Sequence, residues 1–427
     1  MIWHPYTIQK GQPNPLKIVS AKGEFLYDEK GNPYIDAVSS WWISIHGHNH
    51  PYIIDKVKES ISKLDHVLLA GYTHKNAEEL ANKLIEFTNH NFKSVFYSDN
   101  GSCAVDIGIK IAIQYFKNIG FENKINFLHF TNSYHGDTIG AMSVGGKSAF
   151  NSAFEPLLFN SPEFISPDCY NCPISKNPNN CFEECLNPIE KYLEKNQNST
   201  AGIILEPILQ GAAGMRIHKN EILTKLKSIC DKYNVILILD EIFTGFGRTG
   251  KNFAYQNTDI KPDIITVAKG LTGGVLPLAA TLVSEKIYEA FNSEDPNKAF
   301  YHGHTMTGNP SACAAGLASI ELYEQENRLS DVLNLEFEFK KRITNLKYKF
   351  KEKIINERVL GAVAAFEIEG NSNYLHPIAS KIRQLSLSKG VMIRPLGNSV
   401  YIAPSYTISP SSLDRIFEVL DFVLDTI

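Results

Sequence analysis

The sequence predicts an α/β fold, with a large, mostly parallel central sheet, helices on both faces, and a smaller α+β domain. Three observations carry this. From residue 51 to about 315, short apolar runs alternate with helical periodicity, the pattern of parallel strands joined by crossover helices. Two of those runs, Val235–Leu239 and Ile264–Val267, lead into the charged residues Asp240 and Lys269. Strands of an open α/β sheet present such residues at their carboxyl ends, where ligands sit. From residue 316 the pattern becomes a long charged helix, then strands, then a closing helix.

Taken in order, residues 1–50 read as an N-terminal arm and a small-domain segment. Glu24–Asp28 and Pro33–Asp36 flank a Gly31-Asn32 turn, which signals a hairpin. Residues 51–315 form the large domain. Its strands include Ser94–Tyr97, Asn126–Phe130 and Gly202–Glu206, and an insert containing cysteines occupies about 160–190. A helix is expected from about Cys103 to Phe116, with Ala104, Ile107, Ile111 and Tyr115 on one face. Residues 316–427 form the smaller C-terminal domain, with strands at Val363–Ile368 and Ser399–Ile402.

The bulk numbers restrict function by exclusion. The 427 residues are 43% hydrophobic and 21% charged, ordinary for a globular protein. A net charge of -4 argues against a nucleic-acid surface. No apolar run is long enough to span a bilayer. The start, Met1 to Tyr6, lacks a basic segment followed by an apolar stretch. Seven cysteines spread over this length fit a reducing compartment better than a disulfide framework, so a cytoplasmic location is expected.

The strand-end pair Asp240 and Lys269 suits pyridoxal 5'-phosphate (PLP). The lysine can hold the cofactor aldehyde covalently and later carry a proton between substrate and cofactor carbons. The carboxylate keeps the pyridine nitrogen protonated, so the ring can accept electrons. Upstream, Ser98–Ser102 joins a strand to a helix start, and Gly101 and Ser102 there form a candidate phosphate cradle. A plain serine helix cap is the alternative at that point. In Ser133–Thr138, Tyr134 can stack on a pyridine ring and Asp137 can orient it, unless this is a surface loop. The Gly245–Gly250 loop reads as a tight turn, with Arg248 as a structural or interface cation. Cys169, Cys172, Cys181 and Cys185 have a C-x2-C, eight-residue, C-x3-C spacing. Two readings stay open for them: a zinc or iron–sulfur clip, or reduced thiols in a loop.

Glu206-Pro207, Asp240-Glu241 with Gly245–Gly250, Ala268-Lys269-Gly270, and Gly303–Pro310 together resemble the class III (ω-) aminotransferases over essentially the whole chain. The resemblance implies PLP-dependent transferase fold type I, aspartate-aminotransferase-like, and a homodimer with active sites at the interface. Trp3–Thr7, Ser39–Trp42 with Ile45–Gly47, Tyr134–Thr138, and Ile393–Pro395 with Tyr401 narrow it. They look like the branch that aminates 8-amino-7-oxononanoate in biotin synthesis.

That resemblance implies a role for each matching residue. Tyr6 and Trp41 line the substrate tunnel, Tyr134 stacks on cofactor and touches substrate, and Asp137 supports the site. Gly101 and Ser102 hold phosphate, Asp240 the ring nitrogen and Lys269 the aldehyde. Gly303, His304 and Thr305 reach across a dimer interface, with Thr305 on the neighbour's phosphate. Arg394 binds the substrate carboxylate beside Tyr401. The residues alone leave Trp41-Trp42 open as core or interface aromatics. His304 and Met306 depart from the Pro and Phe that users of S-adenosylmethionine carry, so S-adenosylmethionine and lysine both stand as amino donors. Rival readings are an ω-aminotransferase for diamines, γ-aminobutyrate or ornithine-type substrates, and a PLP aminomutase or decarboxylase.

Overall fold

The computed structural model describes residues 2–10, 14–169, 172, 174, 184–370, 374 and 376–427. In chain order the strands are β1 (Ile18–Lys22), β2 (Phe25–Asp28), β3 (Pro33–Asp36), β4 (Ser94–Ser98), β5 (Asn126–Phe130), β6 (Glu163–Phe164), β7 (Thr200–Leu205) and β8 (Leu209–Gln210). They continue as β9 (Arg216–Ile217), β10 (Ile236–Asp240), β11 (Ile264–Val267), β12 (Ala279–Val283), β13 (Ile354–Leu360), β14 (Val363–Ile368), β15 (Val391–Met392) and β16 (Ser399–Ile402).

The central sheet has the order β4-β12-β11-β10-β7-β5-β6. All its pairings are parallel except those of β12, which runs antiparallel to both β4 and β11. The link from β11 to β12, residues 268–278, holds only the short turn Lys269–Thr272 and no α-helix, too little for the crossover that a parallel return needs, so β12 comes back antiparallel. The sheet is therefore mostly parallel, as the alternating pattern predicts.

Every residue of β7, β10 and β11 is buried, because helices cover both faces. Alternate side chains serve opposite cores. Leu237, Leu239, Ile265 and Val267 belong to one cluster, and Ile236, Ile238 and Ile264 to the other. The second cluster includes Ala104, Ile107, Ile111 and Tyr115 of the helix Gly101–Asn118, the face expected from periodicity.

Register decides what the sheet edge presents. Leu239 pairs with Leu205, and Asp240 pairs with Thr266. Glu206, Asp240 and Lys269 thus leave the same edge within a few residues of one another. Because β12 is antiparallel to both neighbours, β4 points the same way as β11 and delivers Gly101 and Ser102 to that edge too.

The predicted hairpin forms as β2 and β3, and β1 adds to it. The parallel partner of β3 is β15, so residues 391 and 392 complete a sheet begun near the N-terminus. β13, β14 and β16 form a separate antiparallel sheet. The helix Pro310–Gln325 runs unbroken across residue 315. Asn327, with a left-handed backbone (φ 49), separates it from the helix Arg328–Lys349.

Candidate active site

Lys269, Asp240, Glu206, Tyr134, Gly101 and Ser102 line one cavity of about 400 Å³. Asp240 is buried at the end of β10. Its Oδ1 accepts the Ile242 N–H at 3.0 Å, and its Oδ2 lies 2.7 Å from His135 Nδ1. A carboxylate facing Nδ1 places a proton there, so His135 donates to Asp240. Burial with these two donors fixes the carboxylate in one orientation.

Glu206 is the carboxylate that residue-level reading passed over, although it stood in the Glu-Pro pair. It accepts the Tyr134 N–H at 3.1 Å and the Gly211 N–H at 2.9 Å. Burial pushes it up to about 7. A signal was present: it follows β7 directly, as Asp240 closes the neighbouring strand.

Lys269 opens the turn Lys269–Thr272 with a left-handed backbone, φ 47. Its Nζ stands 5.0 Å from the Trp42 ring centre and 5.9 Å from that of Phe243. Burial pulls the amine down to about 8, and Asp240 and Glu206 oppose that pull. Burial disfavours the ammonium, so the neutral, nucleophilic amine accumulates above about 8. In cofactor-free protein, acylation of Lys269 should therefore follow pH with a midpoint near 8. A midpoint near the ordinary lysine value of about 10.4 would contradict the site's electrostatics.

The helix Gly101–Asn118 is capped by Asn100, whose side chain takes the Cys103 N–H at 3.0 Å. The alternative of a plain serine cap is thereby excluded. First-turn N–H groups lack intrahelical partners, so those of Gly101 and Ser102 remain for an anion. Ser102 Oγ accepts the Asp137 N–H at 3.2 Å, joining this turn to the Tyr134 loop. Gly136 closes that junction with φ 124, and a Cβ there would lie 2.1 Å from Ser102 Oγ. Only glycine fits.

Ser39, Ser40, Trp41 and Trp42 all have positive φ, between 45 and 79. Left-handed backbone costs a non-glycine residue roughly 1–2 kcal/mol. Specific bonds hold the turn: Ser39 Oγ donates to the Ala403 carbonyl and Ser40 Oγ to Asp36 Oδ2, both at 2.8 Å. The turn splits the tryptophan pair. Trp42 is buried in the Lys269 cavity, whereas Trp41 is part-exposed and lines a second cavity of about 860 Å³ with Arg394 and Tyr401.

Arg394 lies 4.1 Å from the Trp41 ring centre and 5.8 Å from that of Tyr6. The Tyr6 hydroxyl donates to the Asp137 carboxylate and lies 3.1 Å from the Tyr134 hydroxyl. Burial, then the Asp137 contact, pushes Tyr6 up to about 12, so its hydroxyl stays protonated. Tyr6, Trp41, Tyr134, Asp137 and Arg394, scattered through the sequence, thus meet. Phe150 and Tyr374 join this group unpredicted, with Phe150 5.6 Å from Tyr134 and 4.6 Å from Tyr374. Neither carries a local sequence signal, being loop aromatics brought in by the fold.

The loop Gly303–Thr305 does not line the Lys269 cavity of its own chain. Gly303 and Thr305 are exposed, and His304 Nε2 is 4.0 Å from Asp99 Oδ1. Arg248 is structural: fully buried, it donates to the Pro404 carbonyl at 3.0 Å. Cys181 lies outside the described residues. Cys185 is buried and Cys169 accepts the Lys219 N–H at 3.3 Å. Among the described residues, no group of three or more His, Cys, Asp or Glu side chains is placed to hold a metal ion.

The donor set fits PLP: open helix N–H groups for phosphate, a buried carboxylate for a ring nitrogen and a lowered amine for an aldehyde. The family model for class-III aminotransferases matches residues 7–424. Relatives named adenosylmethionine-8-amino-7-oxononanoate aminotransferase come from Geobacter sulfurreducens and Synechococcus elongatus. The first is 37% identical, covering 100% of this chain and 96% of the relative. The second is 39% identical, covering 100% and 99%. The crystal structure of the enzyme of that name from Methanocaldococcus jannaschii superposes with a TM-score of 0.92 at 35% identity, over 100% of this chain and 97% of that one. A PLP-bound amine transaminase from an uncultivated Pseudomonas species gives 0.94 at 27% identity, over 100% and 98%. The chain is therefore a PLP-dependent transaminase and belongs to the class-III aminotransferases.

Proposed function

We propose that this transaminase converts 8-amino-7-oxononanoate to 7,8-diaminononanoate in biotin biosynthesis, in the cytoplasm, with S-adenosylmethionine as amino donor. The observation that carries the reading is Arg394 packed on Trp41 and Tyr6, with the Tyr6 hydroxyl bridging to Tyr134 and Asp137. A long apolar keto acid needs an aromatic wall along its chain and one guanidinium for its far carboxylate. The names of the relatives agree with this substrate.

The bound cofactor supplies an electron sink for the substrate carbon. Lys269 would hold its aldehyde, and its Nζ would carry a proton at the reacting carbon. Asp240, oriented by His135, would keep the ring nitrogen charged. Gly101 and Ser102 would bind phosphate, Trp42 and Phe243 exclude water around Nζ, and Tyr401 packs against Trp42 with ring centres 6.0 Å apart. Gly303, His304 and Thr305 complete the partner's phosphate pocket in a homodimer. The outward position of that loop supports this, as do Tyr301 and Met306, which are 81% and 47% exposed.

His304 and Met306, standing in place of the Pro and Phe that users of S-adenosylmethionine carry, support lysine as a second donor reading. Mixing the yellow enzyme with each donor alone decides between them: the true donor converts the chromophore to the amine form in one turnover. If neither does so, the function proposed here is wrong. Arg394→Ala should raise KM for the keto acid about 10- to 100-fold, the ~1.5–3 kcal/mol of a charge-assisted hydrogen bond, with a smaller effect on kcat. A raised KM for the donor alone would instead assign Arg394 to the donor.

A further inference from the structure

The turn that presents Lys269 is tied to a buried hydrogen-bond chain. The Gly270 carbonyl accepts from Ser319 Oγ at 3.1 Å. Ser319 Oγ lies 3.1 Å from His46 Nε2, and His46 Nδ1 faces Arg328 Nε at 3.4 Å. Chemistry sets the direction. Arginine only donates, so Nδ1 is bare and Nε2 carries the proton. His46 therefore donates to Ser319, whose own proton goes to Gly270. Asp331 Oδ2 at 2.8 Å and the Glu326 carboxylate hold the outer guanidinium nitrogens.

The chain is dry: His46 is 3% exposed, Ser319 1% and Arg328 7%. Water cannot stand in for a missing member, and bonds in such a setting polarise one another. Burial, then the charges of Arg328 and His50, holds His46 down at about 3, so it stays neutral. The same segment packs on both glycines of the turn. A Cβ on Gly273 would meet His46 Cδ2 at 3.2 Å, and one on Gly270 would meet Ile45 Cγ2 at 3.4 Å. Gly273 itself is left-handed, φ 60. A left-handed lysine persists only where its surroundings over-determine it.

We propose that His46 is a positioning residue for Lys269, holding the Gly270 carbonyl through Ser319 and so fixing the left-handed backbone that aims the amine into the cavity. This rests on the role of Lys269 given above.

The test uses the full-length, cofactor-loaded enzyme. Ser319→Ala removes the donor to Gly270, His46→Phe removes both histidine bonds, and His46→Gln restores a donor near the Nε2 position. Ser319→Ala and His46→Phe are expected to lower kcat about tenfold or more, with KM for both substrates within about twofold. Amide hydrogen exchange across residues 268–274 should quicken in both. His46→Gln should regain most of the kcat and the slow exchange. Unchanged exchange and kcat in Ser319→Ala overturn the proposal, and so does a His46→Gln enzyme as impaired as His46→Phe. Should His46→Phe not fold, Ser319→Ala with His46→Gln decides. Failure of the Lys269 reading is separate: Lys269→Ala would then keep the cofactor's yellow absorbance.

Discussion

Lys269→Ala is expected to lose the yellow absorbance of bound cofactor and essentially all transamination. In the proposed role the same amine is covalent anchor and proton carrier, so both would be lost together. The acid–base role alone is worth roughly 10²–10⁴-fold in kcat. The amine suits both roles because burial lowers it to about 8, leaving a useful neutral fraction near neutral pH. Absorbance spectra with single-turnover kinetics check this. A variant still yellow and within about tenfold of the parent, ~1.4 kcal/mol in the barrier, would remove Lys269 from the chemistry.

Asp240→Asn is expected to cost about 10²–10³-fold in kcat with little change in KM, the effect of deleting one preorganised electrostatic partner from a dry site. The change is nearly isosteric, so packing is kept and charge is lost. His135 would then face an amide where Oδ2 now lies 2.7 Å from its Nδ1. Steady-state kinetics on a variant with the parent's thermal midpoint separates chemistry from folding. A fall in kcat matched by a fall in Tm would point to a structural carboxylate instead. Glu206, pushed up to about 7, is a weak substitute for the missing charge near neutral pH.

The contrast between these residues and the aromatic group around Arg394 shows what the sequence makes legible. Asp240 and Lys269 were readable because each follows a short, mostly apolar run, and such runs become buried parallel strands with their carboxyl ends at one edge. Glu206 obeys the same rule and could have been read with them. The antiparallel β12 was hidden because Ala279–Val283 is buried on both faces like the parallel strands of the sheet, and only the link from β11, which carries no α-helix, reveals its direction. β15 is two residues long and has no pattern of its own, so its place beside β3 depends on tertiary packing.

The tryptophan pair is the sharpest case. Nothing in Ser39–Trp42 asks for left-handed backbone, and local preference opposes it. The turn is imposed by Asp36 and the Ala403 carbonyl. It sends Trp42 to the Lys269 cavity and Trp41 to Arg394, so one member is buried and the other packs on a guanidinium. Phe150 and Tyr374 were illegible for a related reason, since contacts between distant loops leave no periodic trace.

The most direct measurement is product formation by the cofactor-loaded enzyme given 8-amino-7-oxononanoate with S-adenosylmethionine or with lysine. The account predicts catalytic accumulation of 7,8-diaminononanoate with one of these donors, abolished in Lys269→Ala. Absence of the diamine with both donors, from an enzyme that still transaminates another amine, would contradict it.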